Sequence, residues 1–194
     1  MAIQGLIFDF DGTLADTMPL HWKAWGRVME KHGITITEER FYSLGGVPAR
    51  DIIRMLADEQ GVEIDHASAV HDKGQFYLDI LHEAELIEIT MKVVREHHGT
   101  LPMAIATGGS RRIVTQVIEK LGIGQYFDAL VTNEDIENQK PAPDIFLEAA
   151  RRIGVAPENC RAYEDTDLGM QAIRAAGMEA IDVRPLRGMT VDVA

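Results

Sequence analysis

A chain of 194 residues is long enough to enclose one sizeable core, or one core carrying a smaller inserted domain. Hydrophobic residues make up 46% and charged residues 26%, the balance of a packed globular protein rather than a disordered one. The formal charge of −12 sets a field that repels nucleic acid and anionic lipid, so a small anionic substrate would need a metal ion or locally converging basic groups.

Met1 to Phe10 shows no basic leader, and no run of about 18 apolar residues occurs, which predicts a cytoplasmic protein without a membrane span. Cys160 is the one cysteine, which excludes an intrachain disulfide and a cysteine metal cluster and leaves a small buried apolar side chain as its reading.

The first strand-sized apolar run is Gly5-Leu6-Ile7-Phe8. Residues 16–85 then read as helices only. Thr17 and Pro19 open a helix bearing Leu20, Trp25, Val28 and Met29, stopped by Gly33. Pro48 opens a second through Leu56, stopped near Gly61, and a third runs from about Asp65 through Phe76, Ile80 and Leu81 with Gly74 inside it. From 86 onward, apolar runs alternate with helical periodicity. Met103-Ala104-Ile105-Ala106 precedes a helix with Ile113, Val117, Ile118 and Leu121, stopped at Gly122. Ala129-Leu130-Val131 precedes one with Ile145, Phe146, Ala149 and Ile153, stopped at Gly154. Arg161-Ala162-Tyr163 precedes one over 168–176, stopped at Gly177, and a strand over 180–183 follows. This alternation predicts an α/β fold: a Rossmann-like parallel sheet core from 1–15 and 86–194, with a helical cap over 16–85 inserted after the first strand. Insertions of this length near strand ends commonly serve as lids.

In a parallel α/β sheet, ligands bind beyond the carboxyl ends of the strands, so the residues just after each strand belong together. Here they are Asp9 and Asp11, then Thr107 and Gly108, then Lys140, then Glu164 and Asp165. In Asp9-Phe10-Asp11-Gly12-Thr13, one carboxylate can act as nucleophile while the other exchanges a proton with a leaving oxygen. Alone, this segment would equally be a polar strand end followed by a turn. Thr107-Gly108-Gly109-Ser110 offers a hydroxyl and small residues leading into a helix N-terminus, where phosphate is favoured; Ser110 is a candidate cap. Lys140, before Pro141-Ala142-Pro143, would offset the charge of an aspartate nucleophile and of an incoming phosphate. Glu164-Asp165-Thr166-Asp167 offers the oxygens that a hard cation such as magnesium takes, Asp167 equally being charge at a helix N-terminus. His97-His98, just before Gly99, reads as helix termination rather than a metal site.

Asp9-Phe10-Asp11-Gly12-Thr13-Leu14, Thr107, Lys140-Pro141 and Glu164-Asp165 follow the order and spacing of the four motifs of the haloacid-dehalogenase superfamily, and the resemblance spans almost the whole chain. Lys140-Pro141-Ala142-Pro143-Asp144 and the helical insert resemble the β-phosphoglucomutase-like branch, and within it the chain looks most like the small bacterial fructose-1-phosphate phosphatases. The resemblance implies that Asp9 forms an aspartyl-phosphate and that Asp11 is the acid and base, its backbone carbonyl also reaching magnesium. It implies Asp9 and Asp165 as side-chain ligands to Mg²⁺, Glu164 in a direct or water-mediated role, and Thr107 and Lys140 on the transferring phosphoryl group. Thr17, His21 and Trp25 match a Thr-x-x-x-His-x-x-x-Trp pattern of the branch, in which this helix faces the active site. His21 is equally readable as a partly buried histidine on an amphipathic helix. Arg50, after Gly45-Gly46-Val47, resembles a substrate-gripping arginine slightly out of register, and Lys73 and Arg111 are further candidates for sugar or distal phosphate.

The expected activity is a magnesium-dependent phosphatase acting on a small phosphate ester such as fructose 1-phosphate. A phosphomutase is the alternative, and a non-catalytic phosphometabolite-binding module a distant third because every core residue is present. A dehalogenase would not need Asp11. The oligomeric state is open, with a monomer favoured.

Overall fold

A computed structural model of the protein describes residues 2–45 and 47–189. Five strands form one parallel sheet: β1 (Gly5–Phe8), β2 (Met103–Ala106), β3 (Ala129–Val131), β4 (Cys160–Glu164) and β5 (Glu179–Asp182), in the spatial order β3-β2-β1-β4-β5. Register is set by the pairs Ile7–Ala104 and Ile7–Ala162 on either side of β1. A parallel sheet has to be covered on both faces, which is why β1 and β2 are buried along their whole length and read as unbroken apolar runs. α5 (Glu88–His97), α6 (Arg111–Leu121), α7 (Asp144–Ile153) and α8 (Asp167–Ala175) connect the strands. The core gathers Ile7, Ala104, Val131 and Ala162 from the sheet with Ile145, Phe146 and Ala149 of α7 and Met170 and Ile173 of α8.

The strand order reverses at β1. The chain runs outward through β2 and β3, then returns to place β4 on the other side of β1. The carboxyl ends of β1 and β4 therefore flank a crevice that no crossover fills, and the acidic segments Asp9–Asp11 and Glu164–Asp165 lie there.

The chain divides into two compact units, one made of residues up to Asp16 and from Glu85 onward, the other Thr17–Ala84. The second holds α1 (Met18–His32), α2 (Glu38–Ser43), α3 (Ala49–Gln60) and α4 (His66–Asp79), with its own core around Trp25, Met29, Phe41, Ile53 and Leu56. α2 had no expectation behind it, since Phe41 is its one buried side chain and gives no period to read. Thr37 starts it by accepting a bond from the Arg40 amide.

The helix stops at Gly122 and Gly154 are left-handed, as expected. β4 extends one residue past Tyr163, so Glu164 is the end of the strand, and β5 begins one residue early, at Glu179. Ser110 occupies the cap position of α6 without bonding through its side chain; the Glu134 carboxylate accepts the Arg111 amide at 3.1 Å instead. His97 lies in the last turn of α5 with Nδ1 at 2.9 Å from the Val93 carbonyl, and His98 caps that helix. Burial pushes the Cys160 thiol up to about 11, which leaves it unreactive. Among the described residues, no helix is long and apolar enough to cross a membrane.

Candidate active site

The β1 ladder continues through the Asp9 amide, which donates to the Tyr163 carbonyl of β4 at 2.9 Å. The chain then turns back on itself: the Phe10 carbonyl accepts from Leu14 and Ala15 at 3.0 Å, and the Gly12 amide donates to Ala15 at 2.8 Å. Gly12 has φ of +85°, and a Cβ there would fall 2.0 Å from Asp165 Oδ2. Only glycine lets this turn press against the Asp165 carboxylate. Thr13, fully buried, donates its hydroxyl to Asp165 Oδ1 at 3.2 Å and so ties the first acidic segment to the last.

Lys140 comes from the long connection after β3 and reaches back to the sheet, where its ammonium donates to Asp9 Oδ1 and to Glu164 Oε2, both at 2.6 Å. All three are buried, Glu164 to 1% exposure. The other Glu164 oxygen accepts from the Asp165 and Thr166 amides and the Thr166 hydroxyl at 2.8 to 3.1 Å. The backbone of Gly169 in α8 lies so close beneath it that a Cβ there would sit 2.0 Å from Glu164 Cδ.

Carboxylate oxygens of Asp9, Glu164 and Asp165 lie within 4.8 Å of one another. Burial raises the Asp9 carboxyl well above its usual range and Glu164 adds to this, against the pull of Lys140. Burial, then Glu164, pushes Asp165 up to about 8. Burial by itself would lower Lys140, but Asp9 and Glu164 outweigh it and hold it protonated. Three carboxylates thus share one ammonium, and a divalent cation on Asp9 and Asp165 would complete the charge balance with the oxygen donors a hard cation prefers.

Thr107 directly follows β2, with its amide on the Val131 carbonyl at 3.0 Å and its hydroxyl accepting from the Gly109 amide at 3.0 Å. That leaves the hydroxyl proton to donate to another oxygen. Asp11 Oδ2 lies 3.6 Å from where a Cβ on Gly109 would be, which brings the second aspartate beside the Thr107 loop. Gly108 is exposed on that loop. Arg111 forms an ion pair with Asp135, which Arg152 also grips at 2.8 Å, so Arg111 is already tied to the connection after β3. Asp167 is exposed and paired with Arg184.

In the helical unit, Lys73 Nζ lies 2.8 Å from His21 Nδ1, and His21 stacks on Tyr77 with centroids 4.4 Å apart. An ammonium can only donate, so Nδ1 is the acceptor in this contact. Thr17 is buried just before α1, and Trp25 is buried within it. Arg50 is exposed in the first turn of α3; Gly46 in the preceding loop lies outside the described residues.

Three further residues carried no role in the sequence reading. Thr13 lay inside the first motif but gave no sign of its bond to Asp165. Gly169 looks locally like an unfavourable helix residue. Arg187 donates to the Gly12 carbonyl at 2.8 Å and to Asp16 Oδ1 at 3.0 Å from a segment with no recognisable pattern.

The family model for haloacid dehalogenase-like hydrolases matches residues 6–183. Among characterised relatives, the chain is 38% identical over 182 residues to the fructose-1-phosphate phosphatase YqaB of Escherichia coli, covering 94% of this chain and 97% of that one. It is 30% identical over 183 residues to a phosphorylated carbohydrates phosphatase of Thermotoga maritima, covering 92% and 84%. Among solved structures, a β-phosphoglucomutase from Clostridium difficile superimposes with a TM-score of 0.81 at 26% identity, covering 98% of this chain and 91% of that one. The chain belongs to the haloacid dehalogenase-like hydrolase family. Its activity is that of a phosphoric monoester hydrolase.

Proposed function

We propose that the protein hydrolyses a small sugar phosphate of the fructose 1-phosphate kind, in a magnesium-dependent reaction through an aspartyl-phosphate on Asp9. The observation that carries this reading is the buried Lys140 ammonium held between Asp9 and Glu164 at 2.6 Å from each. It offsets the repulsion between an ionised nucleophile and a phosphate dianion. A carboxylate oxygen of Asp9 attacks phosphorus, and the bond to the sugar oxygen breaks as Asp11 donates a proton to it. Asp11, now a carboxylate, takes a proton from water as that water attacks the aspartyl-phosphate, which returns Asp9 and releases inorganic phosphate. The Thr107 hydroxyl and Lys140 hold phosphoryl oxygens in both steps.

Asp9 and Asp165 would hold magnesium through their carboxylates and Asp11 through its carbonyl, the ion supplying positive charge to the phosphoryl oxygens. Glu164 acts on this site as the anchor of Lys140 and of the Asp165 amide, both of its oxygens being occupied by those bonds and by Thr166. Thr17, His21, Arg50, Lys73, Gly108 and Arg111 are the side and main chains proposed to recognise the sugar. The similarity to phosphorylated-carbohydrate and fructose-1-phosphate phosphatases supports the substrate class.

The test is a phosphate-release screen over sugar phosphates with magnesium and with excess EDTA. Release from fructose 1-phosphate above the other esters, abolished by chelation, is the expected result. Full turnover in EDTA overturns the metal assignment, and no release from any ester overturns the function. The likeness to a β-phosphoglucomutase structure favours one alternative, phosphate return to a second sugar hydroxyl. Phosphorus NMR of β-glucose 1-phosphate primed with glucose 1,6-bisphosphate discriminates, since conversion to glucose 6-phosphate without free phosphate would select the mutase.

A further inference from the structure

We propose that Arg187 is a positioning residue for phosphoryl transfer, fixing the loop that carries Asp11 and the Asp165 contact. This rests on the reading of that loop as the phosphoryl-transfer site. The guanidinium lies in a turn after β5, far from Asp9 in sequence. One nitrogen, Nη1, donates to the Gly12 carbonyl at 2.8 Å and the other, Nη2, to Asp16 Oδ1 at 3.0 Å. A single rigid fork thus spans the two ends of the 12–16 turn.

What this fork holds matters chemically. Gly12 follows Asp11 directly, so the peptide fixed by Arg187 adjoins the peptide whose carbonyl is the proposed backbone ligand. Gly12 also sits against Asp165, with no room for even a methyl group between them. On the far side, Thr13 donates to Asp165 while its carbonyl accepts from the buried Thr90 hydroxyl at 2.5 Å. Thr90 and Arg187 therefore grip consecutive carbonyls of one turn from two elements. Rotation of the Gly12–Thr13 peptide would carry the Thr13 hydroxyl away from Asp165, and Arg187 opposes that rotation. A lysine could keep the charge but not reach both acceptors in a fixed plane. The Arg187 side chain is 21% exposed, so water can compete with these bonds once the guanidinium is removed, and the turn then samples other arrangements.

The experiment compares wild type, Arg187→Ala and Arg187→Lys by steady-state kinetics, by calorimetric titration with Mn²⁺ in the absence of substrate, and by thermal melting. Arg187→Ala is expected to lower kcat by about 10- to 100-fold with KM changed by less than roughly threefold. Mn²⁺ affinity is expected to fall by about 10-fold or more, as for groups that orient metal ligands. Added methylguanidinium should restore kcat to Arg187→Ala, and methylammonium should not. Arg187→Lys should lie between the two. A lowered melting temperature with kcat per folded molecule and Mn²⁺ affinity within about twofold of wild type would assign Arg187 a purely structural role and overturn the proposal. Should Arg187→Ala not fold, unchanged Mn²⁺ affinity and kcat in Arg187→Lys overturns it equally. If wild type hydrolyses no phosphate ester, the functional reading fails, while the Mn²⁺ titration still decides the role of Arg187.

Discussion

Replacing Gly169 with alanine sets two physical expectations against each other. By helix propensity alone, Gly169→Ala in α8 should stabilise the protein by up to about 1 kcal/mol. The structure dictates the opposite. The new methyl would lie 2.0 Å from Glu164 Cδ and 2.1 Å from Oε2. Reaching an ordinary carbon contact of about 3.5 Å requires a displacement of about 1.5 Å. Glu164 cannot yield cheaply, because it is 1% exposed and bonded to Lys140, Thr166 and the Asp165 amide. Overpacking costs about 1–3 kcal/mol, and each buried bond to a charged group that breaks adds about 1.5–3 kcal/mol. A net loss of about 2 kcal/mol or more follows, or about 4–8 °C in melting temperature for a chain of this size. Moving Glu164 also moves Lys140 off Asp9, and a misplacement of about 1 Å at a reacting centre costs about 10²-fold in rate. The assay pairs thermal melting with phosphate release, and Gly26→Ala serves as control. Gly26 is exposed in α1, and a Cβ there would meet nothing within 4 Å. That variant should gain about 0.5–1 kcal/mol and keep its turnover. Wild-type stability and turnover in Gly169→Ala would refute the account of Glu164 as the anchor of Lys140.

Asp9→Asn should show no turnover and no acid-labile phosphoenzyme, whereas Asp11→Asn should still bind phosphate while losing about 10²- to 10⁴-fold in rate; a normal rate in either contradicts the roles assigned. On the connection after β3, burial raises the Asp135 carboxyl, but Arg152 and two Thr132 bonds outweigh this and lower it to about 2. A carboxyl depressed in the folded state stabilises above its unfolded value and loses that contribution as pH falls towards about 2. The stability gap between wild type and Asp135→Asn should therefore be full at pH 6 and shrink steadily below about pH 4, as read by denaturant melts; a gap that is constant down to pH 2 would contradict the ion-pair assignment.

How much of this was legible in the chain depends on the range of the interaction concerned. β1 and β2 are buried on both sides, so each announces itself as an unbroken apolar run, and α6 and α7 announce themselves by period and by a terminal glycine. The acidic segments sit at strand ends because that is where a parallel sheet leaves room, so alternation alone was enough to group Asp9, Thr107, Lys140 and Asp165. α2 escaped because one buried Phe41 makes no pattern.

What only the tertiary structure decided is which of these groups touch, and on what terms. Lys140 could have been read as a solvated lysine; burial between Asp9 and Glu164, 131 and 24 residues away, makes it a charge anchor. Glu164 is expected beside Asp165 in a direct or water-mediated role at the metal, and only the fold shows that it also holds Lys140 and the Thr166 hydroxyl. Gly169 resembled a weak spot in a helix until the carboxylate packed on its backbone gave it a reason. Arg187 bonds Gly12 across 175 residues. Periodicity and turn chemistry are written by near neighbours and can be read along the chain. A bond between distant segments leaves no local mark, because its geometry exists only once the sheet has brought the two ends together.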